Sequence, residues 1–286
     1  MAHSRSVLSF TIAFCVLGST SVLAQQVSVS GRRIAVGDRS LWLSCAGTGQ
    51  PGVLLEAGHT EGSGTWTSVQ SRVASFTRVC SYDRAGLGRS DPDSRGRFRQ
   101  GRDVVADLHG VLVGADEPGP WVLVGHSLGG ALVRLYAASY PGETAGLVLV
   151  DAVHEREFEA IDQLLTAEQR EAGAGMHPMS PEGLNIEELF AEVRRASSPL
   201  AMPVVVVARG LPLQHDEMPP GWTSDQRRRR EELRKTIQAD LAALSSRGEL
   251  MVAAHSGHFV HHDEPEVVVA AIRKIVDAWR DAQARQ

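Results

Sequence analysis

The chain has 286 residues, a formal net charge of −5, 43% hydrophobic and 22% charged residues. A chain of this length can bury roughly three quarters of its unfolded surface in one core, so one domain is enough. The charge balance gives no basic footprint for nucleic acid, and no internal repeat or low-complexity tract stands out.

At the amino end, His3 and Arg5 precede an apolar stretch from Val7 to Leu17, and small residues lead to Val22-Leu23-Ala24. This is the pattern of a signal peptide over residues 1–24 with cleavage before Gln25. The stretch is short for a transmembrane span, and bulky Phe14 before Cys15 argues against a lipoprotein. The expectation is a secreted or periplasmic protein with one domain over 25–286 and no stable membrane insertion after cleavage; an uncleaved anchor is the alternative. Removal of the segment leaves Cys45 and Cys80 in an oxidising compartment.

Short apolar runs follow, read as strands at Leu41–Ser44, Val53–Ala57, Val79–Asp83, Trp121–Gly125, Leu147–Val150, Val204–Ala208 and Leu250–Ala254. Helical stretches separate most of them, which predicts a mostly parallel, doubly wound sheet of the α/β class. Between Val153 and Pro199 the pattern breaks into acidic helical pieces interrupted by Gly173, Gly175, Pro178 and Pro181, as expected of a cap over a site. The basic run Arg227–Arg230 precedes Glu231 and Glu232 at helical pairing distance, and reads as a solvated helix face.

The most informative segment is Val124-Gly125-His126-Ser127-Leu128-Gly129-Gly130. A buried-type strand ends there, and Leu132, Leu135 and Tyr136 give helical spacing after it. Ser127 therefore sits on a sharp strand-to-helix turn, where only glycine two residues before and two after avoids a clash; Gly125 and Gly129 hold those places. The turn points the Leu128 amide toward the place where an oxyanion would form. A glycine-rich turn without chemistry is the plain alternative.

From about Arg39 to about Trp279 the chain resembles the α/β-hydrolase superfamily, and the resemblance rests on this elbow and two further segments. Val53-Leu54-Leu55-Glu56-Ala57-Gly58-His59 resembles the strand and glycine turn that supply the other oxyanion-hole amide, assigned by position to His59. Arg78 to Ser90 resembles the following strand and glycine-rich loop. The resemblance implies an α/β-hydrolase fold and a serine nucleophile whose base is a histidine after the last strand, which selects His258 over its competitor His255. His255 and His258 are three apart and His261 and His262 follow, but no carboxylate at ligand spacing joins them, so no metal and no cofactor is expected. For the acid, the family commonly uses the loop after the strand before the last, where Asp216 comes several residues late. Its other placement, after the strand that follows the nucleophile helix, falls on Asp151. Asp151 is preferred and Asp216 is the alternative; a cap after a strand is the bland use of Asp151. The family's strand order makes the strands of Cys45 and Cys80 neighbours, which implies a disulfide, with two buried free thiols as the alternative.

These residues imply a serine hydrolase acting on a small-molecule carboxylic ester. From Val153 to Pro199 there are ten acidic and four basic residues, few aromatics and no long apolar face. That favours a small or medium acyl group over a long-chain lipid and speaks against strongly anionic substrates. An aminopeptidase or amidase of the same fold is the alternative, with Glu56, Glu61 and the cap carboxylates forming an acidic pocket. A degenerate hydrolase kept as a binding protein is the non-enzyme alternative.

Overall fold

The computed structural model describes residues 30–94, 98–171, 182–196, 199–213 and 221–285. The proposed signal segment, Asp216 and part of the expected cap lie outside them. The elements run β1 (Ser30–Val36), β2 (Arg39–Ala46), β3 (Gly52–Glu56), a 3-10 turn (Ser63–Trp66), α1 (Thr67–Val73), β4 (Val79–Tyr82), α2 (Gly101–Gly114), β5 (Trp121–His126) and α3 (Leu128–Ser139). A second 3-10 turn (Pro141–Glu143) leads to β6 (Thr144–Val150), α4 (Glu157–Asp162), α5 (Ala167–Glu171), α6 (Ile186–Ala196), β7 (Val204–Arg209), α7 (Ser224–Ala242), β8 (Gly248–Ala253), α8 (Val260–Asp263) and α9 (Pro265–Ala284).

The described residues form an eight-stranded sheet in the order β1-β2-β4-β3-β5-β6-β7-β8. Strand β2 runs antiparallel to both neighbours, and β3 onward the pairings are parallel. Strands β3, β5 and β7 are buried at every position, as central strands covered on both faces must be. Val104, Leu108, Val111, Leu132 and Leu135 from α2 and α3 fill one side, together with Ile237 and Leu241 of α7. Val69 and Val73 of α1 and Val268, Ile272, Ile275 and Val276 of α9 fill the other. Each strand run expected from the sequence is present within a few residues; β1 was not anticipated.

The insertion between β6 and β7 has two anchors. Leu189, Phe190 and Val193 of α6 join the core that holds α3, and Ile161 and Leu165 of the α4 region pack with Trp222, just before α7. The two anchors hold the insertion over the carboxyl edge of the sheet, where parallel α/β folds place ligands.

Cys45 and Cys80 stand directly opposite each other on β2 and β4 with Cα atoms 4.1 Å apart, and a disulfide joins them. The close approach is that of a non-hydrogen-bonded antiparallel pair. The bridge closes a loop with a sequence separation of 35, for which chain entropy gives about 3–4 kcal/mol of stabilisation. Thermal unfolding of the Cys45→Ala/Cys80→Ala variant is therefore expected well below wild type, and reductant should lower the melting temperature of wild type but leave that of the variant unchanged.

Candidate active site

Strand β5 delivers the chain into a turn at Ser127, which has φ 50° and ψ −119° and directly precedes α3. Backbone bonds hold this conformation: the Ser127 amide donates to Val150 O at 3.1 Å, and its carbonyl accepts from Gly130 and Val153. A positive φ on serine costs on the order of 1–3 kcal/mol and persists only where the surroundings impose it. The flanking glycines are part of that imposition. A Cβ on Gly125 would lie 2.5 Å from the carbonyl oxygen of Gly129, and one on Gly129 would lie 2.6 Å from the carbonyl oxygens of Ala57 and Glu56. All of these obstacles are backbone, so no rotamer change relieves them.

The parallel register pairs His126 with Val150, so Ser127 and Asp151 are the next residues on adjacent strands. Asp151 also has a positive φ, 37°, and its amide donates to Val207 O at 2.8 Å. Beyond β8, a turn brings His258 back across the sheet edge, with Nδ1 2.8 Å from Asp151 Oδ2. A buried carboxylate at that nitrogen fixes the proton on Nδ1 and leaves the Nε2 lone pair free. The acid has further partners: the Arg209 amide and Nη1 at 3.3 Å each, and Arg234 Nη1 at 3.5 Å. Burial works against the Asp151 charge, but the His258 hydrogen bond and the fields of Arg209 and Arg234 outweigh it and hold the carboxyl below its usual range. His255, the competing base, is exposed, with its amide bonded to Glu264. Asp216 lies outside the described residues.

The loop after β3 carries the second expected oxyanion amide. Its form is set from below by Arg84, which is fully buried and donates all five of its N–H bonds: to both oxygens of Glu182, to Glu56 Oε1, and to the carbonyls of Ala57 and Gly58. The bond to Gly58 O, at 2.6 Å, matters most. In a trans peptide the C=O and the following N–H point in opposite directions, so pinning the Gly58 carbonyl inward turns the His59 amide outward. The Leu128 amide is the first in α3 and has no carbonyl within the helix to donate to.

Glu61 grips the same loop from the other side. Its Oε2 accepts from the Gly58 amide at 3.0 Å and lies 2.8 Å from His126 Nδ1, while Oε1 accepts from Thr65 Oγ1 at 3.0 Å. His126 Nε2 in turn lies 3.0 Å from the His258 carbonyl. One carboxylate thus links the loop after β3, the residue before Ser127 and the loop of His258, and against the cost of burial its partners hold it down at about 2. The sequence reading missed this network; the only signal was the histidine beside the serine. Nearby, Thr65 Oγ1 lies 2.8 Å from Nε2 of both His261 and His262. Glu61, His126 and His261 bring ligand-type atoms within 4.8 Å of one another. Both nitrogens of His126 are engaged as described, and His261 Nδ1 is buried with no hydrogen-bond partner among the described residues.

Two expectations need correction. Glu56 and Glu61 do not form an open acidic pocket: Glu56 is buried against Arg84 and Tyr82, and Glu61 is spent on the loop. Nor is the whole run Arg227–Arg230 a solvated face. Arg228 and Arg229 are exposed and pair along the helix with Asp225, and Arg228 also with Glu232, but Arg230 turns inward and is half-buried.

A sheet of this order, with a serine on a strained turn at the end of its central strand, defines an α/β hydrolase. The chain belongs to the alpha/beta hydrolase family, whose model matches residues 51–271. Among curated proteins it is similar to the 2-(acetamidomethylene)succinate hydrolase of Mesorhizobium japonicum, 27% identical with 86% of this chain and 95% of that protein covered. It is also similar to the uncharacterized protein YqjL of Bacillus subtilis, 26% identical with 79% of this chain and 83% of that protein covered. Among solved structures, a thermophilic esterase from Thermogutta terrifontis, described with malate bound, superposes with a TM-score of 0.59 at 19% identity, covering 87% of this chain and 99% of that one.

Gly129→Ala should cost about 1–3 kcal/mol through overpacking against backbone, read as a lower denaturant midpoint. For Glu61, a folded-state value depressed from 4.5 to about 2 gives stability that is present above the unfolded value and lost as pH falls through the folded one. Glu61→Gln should therefore melt below wild type at pH 7, with the gap closing between about pH 4.5 and pH 2; a gap independent of pH would contradict the assignment.

Proposed function

We propose that the protein is a serine hydrolase that cleaves carboxylic esters of small or medium acyl size, with Ser127 as nucleophile, His258 as base and Asp151 as the orienting acid. The observation that carries this reading is the 2.8 Å contact between His258 Nδ1 and Asp151, made where the register sets Asp151 beside a strained Ser127. The Ser127 oxygen bonds to the acyl carbon while its proton passes to His258 Nε2. The carbonyl oxygen takes up the negative charge and is held by the amides of His59 and Leu128. The ester C–O bond then breaks, and the leaving alkoxide takes the proton from His258. Water attacks the acyl-enzyme through the same histidine, giving the carboxylic acid and free Ser127. No metal or cofactor has a part in these steps.

An ester is favoured over a peptide with a free amine, because Glu56, Glu61 and Glu182 are committed to Arg84, His126 and the loop and so, among the described residues, do not form a carboxylate cage for an ammonium group. The disulfide supports export to an oxidising compartment, and none of the described helices is long and apolar enough to cross a membrane.

A fluorophosphonate probe followed by mass spectrometry tests the assignment. The adduct is expected on Ser127 in wild type and absent in Ser127→Ala. Its rate should fall by about 10²-fold or more in His258→Ala and by a smaller but clear factor in Asp151→Asn, with Asp216→Asn close to wild type. Undiminished labelling in Asp151→Asn with loss in Asp216→Asn would move the acid to Asp216. A folded wild type that takes no label would favour the binding-protein reading.

A further inference from the structure

One face of α7 carries a column of polar side chains four residues apart, at Gln226, Arg230, Arg234 and Gln238, which a helix stacks one above the other. The helix follows β7 and precedes the parallel β8, so it runs against the strands and its amino end rises beyond their carboxyl edge. Three members of the column have inward partners that mark its height. Gln238 Nε2 donates to Ala152 O at 2.8 Å, Arg234 Nη1 lies 3.5 Å from Asp151 Oδ1, and Gln226 Nε2 donates to Leu164 O at 2.8 Å. Arg230 falls between the level of Asp151 and that of the insertion, in the gap above the sheet edge. Unlike the other three, it makes no hydrogen bond and no ion pair with any described residue.

The described charges around it leave Arg230 unspent. Arg209 and Arg234 are shared between Asp151 and Glu231, two cations against two carboxylates. Among the described residues the remaining acid in range is Glu157, half-buried at the start of α4, in the field of Arg230, Asp151 and His258. It forms no ion pair with Arg230, and burial pushes its carboxyl up. A half-buried guanidinium that bonds to no described residue is a receptor for a carboxylate, which takes two N–H bonds from arginine in a planar fork.

We propose that Arg230 binds a carboxylate on the substrate, so that the preferred ester carries a free acid group. The proposal rests on the serine-hydrolase reading above and narrows its substrate class. The acidic count of the insertion points the other way, but five of those ten carboxylates are paired elsewhere: Glu155 with Arg134, Asp162 with Arg170, Glu182 with Arg84, Glu188 with Arg195 and Glu192 with Arg102.

The test compares matched esters on the full-length protein. Mono-4-nitrophenyl glutarate against 4-nitrophenyl butyrate places the acid on the acyl side, and 4-acetoxybenzoate against phenyl acetate places it on the alcohol side. At least one anionic ester is expected to exceed its neutral partner tenfold or more in kcat/KM. Arg230→Gln should cut that ratio at least tenfold, mainly through KM, and Arg230→Lys should retain part of it. A wild-type ratio at or below one on both sides, or an Arg230→Gln effect equal on both members of a pair, overturns the proposal while leaving the hydrolase reading intact. Absence of turnover on every ester together with an unlabelled Ser127 defeats the hydrolase reading itself. Should the variants fail to fold, inhibition of wild-type butyrate-ester turnover by glutarate decides: competitive inhibition not matched by glutaramide supports the subsite, and equal behaviour of the two removes it.

Discussion

The carboxyl edge of this sheet depends on the buried guanidinium of Arg84. It faces two buried carboxylates, Glu56 from β3 and Glu182 from the insertion, and two carbonyls of the loop after β3. A charge this deep is tolerated only when paired and fully hydrogen-bonded. Arginine alone has the donors for it, since lysine brings three where five are used. The same side chain therefore ties the insertion to the core and sets which way the Gly58–His59 peptide faces. Glu61 opposes it across that peptide by holding the Gly58 amide, so the loop is fixed from both sides before any ligand arrives.

Strain at the site is placed on the same footing. Ser127 and Asp151, at the ends of neighbouring strands, both carry positive φ without being glycine. Each is held by a backbone bond to the next strand over, Ser127 to Val150 and Asp151 to Val207. The unfavourable conformations are thus stabilised by the sheet ladder, the stiffest part of the molecule, and not by the loops that follow.

The parts of the fold that the sequence made legible are those governed by local rules. Buried strands such as Val204–Ala208 appear as unbroken β-branched runs because both their faces are covered, and Gly125 and Gly129 stand out because only glycine fits against backbone there. Strand β1 was invisible: its Ser-Gly-Arg-Arg start lies at an edge, where one side needs no partner and the apolar signal fades. The roles of Glu56, Glu61, Arg84 and His126 depend on contacts between segments distant in the chain, which no spacing rule encodes. Composition misled at two points. Acidic residues counted together looked like a pocket although Glu56 is committed to Arg84 and Tyr82 and Glu61 to His126 and the loop, and a run of four arginines looked uniform although helical geometry turns Arg230 away from Arg228 and Arg229.

The register of β5 against β6 also separates two tasks that a chain must otherwise satisfy together. With Ser127 and Asp151 on adjacent strands, their spacing is that of the sheet itself, about 4.8 Å between neighbouring chains, and owes nothing to the length of the segment after β7. That segment starts from Arg209, whose side chain braces Asp151 from the strand end. With Asp151 as the proposed acid, the connection to α7 beyond this residue is freed from catalytic alignment. Insertions, deletions and new side chains can accumulate there without disturbing the proposed reacting groups, so descendants of this sequence can change what they recognise while conserving how they react.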